Sequence, residues 1–139
     1  MQKETFIKQY AAGLNPQQLA AVQAVNGPVL LLAVPGSGKT TVLVTRLGYM
    51  VLCCDVPPAQ ILTMTYTVAA THEMRGRFAA RFGAELAGQM TFRTINGLSA
   101  VILQYYSRVY GRRQPELLTN EGDITRMLTD IWQQGNREF

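Results

Sequence analysis

Cysteine is almost absent from this sequence: Cys53 and Cys54 are the only two. Being adjacent, they cannot form an ordinary structural disulfide, and both are expected to be buried, reduced and inert. Long hydrophobic runs are missing as well. The longest, Val42 to Cys54, is interrupted by Arg46 and reads as a buried helix, so a membrane-spanning role is excluded. The opening Met1-Gln2-Lys3-Glu4-Thr5 lacks the basic, then apolar, then small layout of a secretory signal, which predicts a cytoplasmic chain with no membrane partner. There are no internal repeats and no low-complexity segment. Acidic residues are outnumbered 9 to 13 by basic ones, ten of them arginine, and the net charge of +4 suits a polyanionic partner. The excess is small and dispersed. Arg75, Arg77 and Arg81 are the one clear helical cluster, open to reading as a solvated face or as a binding surface.

What is present is an α/β pattern. A hydrophobic content of 47% over 139 residues is enough for one folded core, and apolar strand-like runs alternate with helical ones. A short leading helix is predicted from Phe6 to Gly13. Asn15 and Pro16 then supply an N-cap and a first-turn proline for a helix from Gln17 to Val25. A strand over Pro28 to Ala33, apolar throughout Val29 to Leu32, reads as buried on both faces of a parallel sheet. Helices follow at Thr40 to Cys54, Val68 to Phe82 (with Thr67 as cap), Gly97 to Tyr110 and Glu121 to Gln134, and further strands at Ile61 to Tyr66 and Gln89 to Arg93.

The chemistry is concentrated in Ala33-Val34-Pro35-Gly36-Ser37-Gly38-Lys39-Thr40-Thr41, where the first strand breaks into a glycine-rich turn. Gly36 and Gly38 can adopt backbone angles closed to other residues, so successive N–H groups can face inward as an anion nest. The following helix adds the positive end of its dipole. Lys39 supplies a full charge for the β- and γ-phosphates and the Thr40 hydroxyl a ligand for Mg²⁺, which makes these two the catalytic candidates and Thr40 the metal candidate. The loop therefore predicts binding of a nucleoside triphosphate. Ala33 stands where the general pattern has glycine, and Pro35 removes one donor; neither is indispensable. Hydrolysis is a different matter. It needs an acid at the end of another buried strand, and none of the predicted strands ends in Asp or Glu. The nearest imitation, Ile124 to Asp130, has helical periodicity, and Glu73 lies one helical turn before Arg77 as a surface pair. This chain is predicted to bind ATP without splitting it.

Three further segments carry a resemblance. Leu14-Asn15-Pro16-Gln17-Gln18-Leu19-Ala20-Ala21-Val22 looks like the Q motif of the UvrD/Rep family of superfamily one DNA helicases. Ile61-Leu62-Thr63-Met64-Thr65-Tyr66-Thr67, with Ala69-Ala70 and Glu73-Met74-Arg75 after it, resembles motif Ia of that family, and Phe92-Arg93-Thr94-Ile95-Asn96-Gly97-Leu98 is similar to motif Ib. The resemblance implies a RecA-like P-loop domain in which Gln18 reads adenine, since a primary amide matches adenine N7 and N6 but not guanine. It implies ATP and Mg²⁺ as cofactors, a nucleotide-binding set of Gln18, the loop residues 33 to 41 and Arg46, and single-stranded DNA as partner through Tyr66, Thr67, Thr94 and Asn96. Residues 1–118 are then the N-terminal part of the RecA-like domain, and residues 119–139 the helical start of an inserted subdomain. The acid and a second RecA-like domain would lie in the remaining helicase domains of the same polypeptide. In the nucleotide motifs Thr41 stands where many relatives have Arg; the other departures fall in the DNA motifs, where Val68 and Ala69 replace Asn-Lys, Ile95 an aromatic and Asn96 a histidine. Loss of one base-stacking ring costs roughly 1–3 kcal/mol. Two other readings stay open, a non-catalytic ATP-dependent DNA clamp and a small P-loop kinase whose lid pair would be Arg112-Arg113.

Overall fold

The computed structural model describes residues 1–34, 36–113 and 118–135. Pro35 of the predicted nucleotide loop, residues 114–117, and residues 136–139 at the end of the expected inserted subdomain lie outside them. The chain divides into two compact units, Met1–Leu98 and Ser99–Phe139.

In the first unit, α1 (Lys3–Phe6) runs on as a π-helical turn, Ile7–Ala11, and α2 spans Pro16–Gln23. The start of α2 is a full capping box. The Asn15 side chain accepts from the Gln18 amide at 2.9 Å, while Gln18 Oε1 accepts from the Asn15 amide at 3.0 Å. Next come α3 (Lys39–Cys53), a 3₁₀ turn (Pro58–Gln60), β1 (Leu62–Thr65), α4 (Val68–Phe82), α5 (Ala84–Gln89) and β2 (Thr91–Thr94). The helix α6, Ile95–Val109, crosses the division between the units. β1 and β2 pair in parallel with Leu62 opposite Thr91 and Thr65 opposite Thr94, so the two strands end level. That is the βαβ connection expected from the alternating pattern.

The expected strand at Pro28 to Ala33 departs from prediction. The run pairs with no strand among the described residues, and it is not buried on both faces: Leu30 and Leu32 are 83% and 82% exposed, while Leu31 between them is half-buried. The physical reason is the size of the sheet. Its two strands hydrogen-bond to each other, and neither is aligned on this run, so the apolar sequence packs by Leu31 alone. The sheet itself is covered on one side, with Leu62 and Met64 of β1 about half exposed on the other.

Two apolar clusters form the core. One gathers Val44, Leu47, Ile61, Met74, Phe78, Ala87, Met90 and Phe92; the other gathers Phe6, Val22, Val42 and Tyr49, with Leu31 and Tyr10 against it. The second unit contains the rest of α6 and α7 (Glu121–Gly135), capped by the Asn120 side chain, which accepts from the Gly122 amide at 2.8 Å and the Asp123 amide at 3.3 Å. Asp130 lies on α7 and is exposed, an ordinary helix residue as its periodicity predicts. No helix among the described residues is long and apolar enough to cross a membrane.

Cys53 and Cys54 are free and half-buried rather than buried, because α3 ends at Cys53 and the chain turns outward there. Burial still pushes the Cys53 thiol above its ordinary pKa, which lowers its thiolate fraction at neutral pH. Phe78 is fully buried between the rings of Phe82 and Phe92, with centroids 5.0 and 6.0 Å away. Phe78→Ala is expected to destabilise the first unit by about 3–5 kcal/mol in urea unfolding. Tyr66→Ala, at a position 89% exposed, should shift stability by less than about 0.5 kcal/mol.

Candidate functional site: the glycine-rich loop and its flanking helix

The loop is assembled from three segments that the sequence separates. Val34 O accepts from the Ser37 amide at 3.2 Å, closing a turn in which Gly36 and Gly38 take φ of 78° and 79°. Both values lie in the left-handed region, where a side chain would be strained, so glycine is required at these two positions. Gly38 is also the residue from which α3 departs, and its carbonyl accepts the Val42 amide at 3.0 Å. The amides at the head of α3 and the positive pole of its dipole therefore sit beside the loop.

Lys39 folds back over the turn. Its Nζ donates to the carbonyls of Ala33 and Val34, both at 2.9 Å. An ammonium with three donors thus has two of them on loop carbonyls, and the charge is held over the turn where an anion would sit. The third segment is α2. Gln18 Nε2 donates to the Ser37 carbonyl at 3.0 Å, so the side chain that caps α2 with its oxygen ties the loop with its nitrogen.

These contacts line one cavity of about 290 Å³, bordered by Gln18 of α2, Ala33, Val34 and Ser37 of the loop, and Lys39 and Val42 of α3. Asn15 and Gln17 reach it as well. The sequence offered a signal for Asn15, since Asn-x-x-Gln ahead of an apolar run is a capping-box pattern, but none for Gln17. Ser37 Oγ is buried with no hydrogen-bond partner among the described residues. An unsatisfied buried hydroxyl costs free energy, and one at the centre of an anion-favouring turn fits a phosphate or a metal-bound water as its partner.

Not every predicted nucleotide residue meets in that cavity. Thr40 is half-buried in the first turn of α3 beside it. Thr41 faces elsewhere, lining a separate cavity of about 360 Å³ with Val44, Arg77, Ala80 and Arg81. Arg46 donates from Nη1 to the Ala21 carbonyl at 2.6 Å, away from the loop. The arginine cluster is engaged within the fold: Arg77 pairs with Glu73 at 2.7 Å, Arg81 donates to the Tyr10 carbonyl, and Arg75 lies 5.7 Å from the Phe92 ring centre.

The four residues expected at DNA lie at the level ends of β1 and β2. Tyr66 stands out, 89% exposed. Thr67 Oγ1 accepts from the Ala70 amide at 3.1 Å and caps α4, and Thr94 Oγ1 accepts from the Gly97 amide at 3.0 Å. Asn96 is exposed on the first turn of α6. Because Thr65 and Thr94 are paired in register, strand ends and helix starts fall on one sheet edge. Among the described residues no group of His, Cys, Asp or Glu could hold a metal ion by itself.

Known proteins resemble this chain over most of its length. Residues 14–139 match the family described as UvrD/REP helicase N-terminal domain. The chain is 40% identical over 92 residues to the ATP-dependent DNA helicase PcrA of Leuconostoc citreum, covering 66% of this chain and 12% of that protein. It is 36% identical over 119 residues to the ATP-dependent DNA helicase UvrD1 of Mycobacterium leprae, 86% of this chain and 15% of the relative. With the ATP-dependent DNA helicase Rep of Salmonella typhimurium it shares 30% identity over 118 residues, 85% of this chain and 18% of the relative. The chain therefore spans less than a fifth of the length of these relatives. On the extent of the family match, which takes in the capping-box helix, the loop and both strand ends, this chain belongs to the UvrD/REP helicase N-terminal domain family.

Proposed function

We propose that the cavity between α2 and the loop binds ATP with Mg²⁺, and that the chain is the ATP-gripping part of an ATP-dependent DNA helicase motor acting on single-stranded DNA. The observation that carries this reading is the convergence of Gln18, Ser37 and Lys39 on one cavity beside two left-handed glycines. A triphosphate requires backbone amides free to donate, a lysine and a helix start, and the glycine turn, Lys39 and the head of α3 are adjacent. Lys39 would exchange its two carbonyl partners for phosphate oxygens, Ser37 and Thr40 would offer hydroxyls, and Gln18 would present its amide to the base. Mg²⁺, held through Thr40, would neutralise phosphate charge when bound. That the relatives are named ATP-dependent DNA helicases supports the assignment of the whole protein.

The RecA-like fold is part of the same proposal. Its central sheet would be completed by strands from the remainder of the polypeptide, one supplying the acid that this chain lacks. Single-stranded DNA would cross the level ends of β1 and β2, where Tyr66 can stack and Thr67, Thr94 and Asn96 can donate to phosphate or base.

Equilibrium binding to this chain tests the nucleotide reading: ATP should bind in preference to GTP, and Lys39→Ala should remove detectable binding. Equal affinity for the two nucleotides would sink the role given to Gln18. Steady-state ATP hydrolysis by the chain alone should stay near background, and robust turnover would reveal an acid in a place where none is foreseen. DNA binding should be weak and should fall steeply between about 50 and 200 mM salt; tight, salt-insensitive binding would contradict the sparse basic charge at the strand ends.

A further inference from the structure

Arg46 belongs to the expected nucleotide-binding set, yet its guanidinium is spent on a backbone carbonyl of another helix. It lies about two turns of α3 beyond Lys39, on the face that also carries Val42 and Tyr49. Its partner, the Ala21 carbonyl, is in the last turn of α2, where carbonyls run out of intrahelical donors. The amide placed to reach Ala21, that of Val25, turns away and donates to the Gln23 carbonyl at 2.9 Å. Arg46 therefore supplies the missing donor, and it brings a full positive charge to the negative pole of α2.

α2 needs that help. It has 8 residues, too few to hold as a helix alone in water, and it buries Val22 as its one anchor in the core. Its ends are pinned separately: the first turn by Gln18 Nε2 on the Ser37 carbonyl, the last by Arg46 on Ala21. A rigid rod held at two ends has a fixed tilt and roll; released at the Arg46 end, it is left on the single Gln18–Ser37 hydrogen bond, about which the helix can tilt and roll and so re-aim the side chain that makes the bond. The group that would move is the Gln18 amide.

We infer that Arg46 is a positioning residue for the nucleotide site, clamping the C-terminal end of α2 so that Gln18 is held over the loop, and that it contacts no part of the nucleotide. The inference rests on the reading of Gln18 as the base-contacting group, but its structural half stands without any ligand.

Two measurements on this chain test it, with Arg46→Ala, Arg46→Lys and Arg46→Gln as variants. In the absence of nucleotide, Arg46→Ala should speed amide exchange over Leu19 to Gln23 by about tenfold while the amides of α3 change little; Arg46→Lys, which keeps a charged donor, should restore most of the protection. In binding, Arg46→Ala should lower the preference for ATP over GTP about tenfold while affinity for inorganic triphosphate stays within about twofold, since the loop itself is untouched. Unchanged exchange in α2 overturns the clamp. Loss of triphosphate binding in a variant whose α2 stays protected overturns it too, because Arg46 would then be a phosphate ligand. If Arg46→Ala unfolds, the comparison passes to Arg46→Gln, whose neutral amide should give intermediate exchange and intermediate preference; a wild-type value for both would overturn the inference. A wild-type chain that binds no nucleotide would defeat the ATP reading and leave the exchange result to decide the clamp.

Discussion

Phe82 is the residue on which the first unit hangs. Its ring lies 5.0 Å from that of Phe78, 4.8 Å from Tyr10 and 6.2 Å from Phe6, the last nearly parallel, and it packs against both apolar clusters. A two-stranded sheet is too small to organise a core by itself. Here the organising is done by rings, each of which buries a large apolar area with only two torsions to fix. Gly48 of α3 lies directly beneath the Phe82 ring, leaving room for no side chain, so the end of α4 sits close on the middle of α3. Through Phe6 and Tyr10 the same ring draws in the N-terminal segment, and through Tyr49 on Phe6 it fixes the face of α3 that looks toward α2.

That packing governs the loop indirectly. The head of α3 is where the glycine turn ends, and the middle of α3 is where the rings grip; the loop is thus mounted on a helix whose position is set some two turns away. Within the turn the two long polar side chains already have partners. Lys39 rests on two carbonyls, and Gln18 divides its amide between a cap and the Ser37 carbonyl. An entering phosphate would therefore displace the carbonyls on Lys39 rather than meet a bare charge, and the gain at that side chain is a difference between similar terms. Ser37 Oγ differs, being buried with no partner among the described residues, so a ligand would give it a hydrogen bond it does not have.

Much of this was legible in the sequence where local chemistry decides the outcome. Asn15 and Pro16 open α2, and Thr67 opens a helix that runs from Val68 to Phe82 with the predicted bounds, because caps and first-turn prolines act within a few residues. The strands at 62–65 and 91–94 fall inside or one residue beyond their expected spans. The loop glycines were identifiable because two positive φ angles admit little else. What escaped was decided elsewhere in the chain. The run before the loop has the composition of a central strand, but composition cannot supply its neighbours. α5 is short, and the π-helical turn at Ile7–Ala11 has no pattern of its own apart from the ring contact that Tyr10 makes with Phe82. Arg46 was placed in the nucleotide set by resemblance; only the absent amide at Ala21 tells what its guanidinium touches.

Leu30 and Leu32 stand almost fully in water beside a backbone that pairs with no strand among the described residues, and Leu62 and Met64 of the paired strand β1 are about half exposed. Open, β-prone, apolar edges are templates for one another. The run from Val29 to Val34 carries no charge that would oppose such an approach. The consequence is colloidal: apolar side chains left in water at these positions favour self-association as the protein concentration rises.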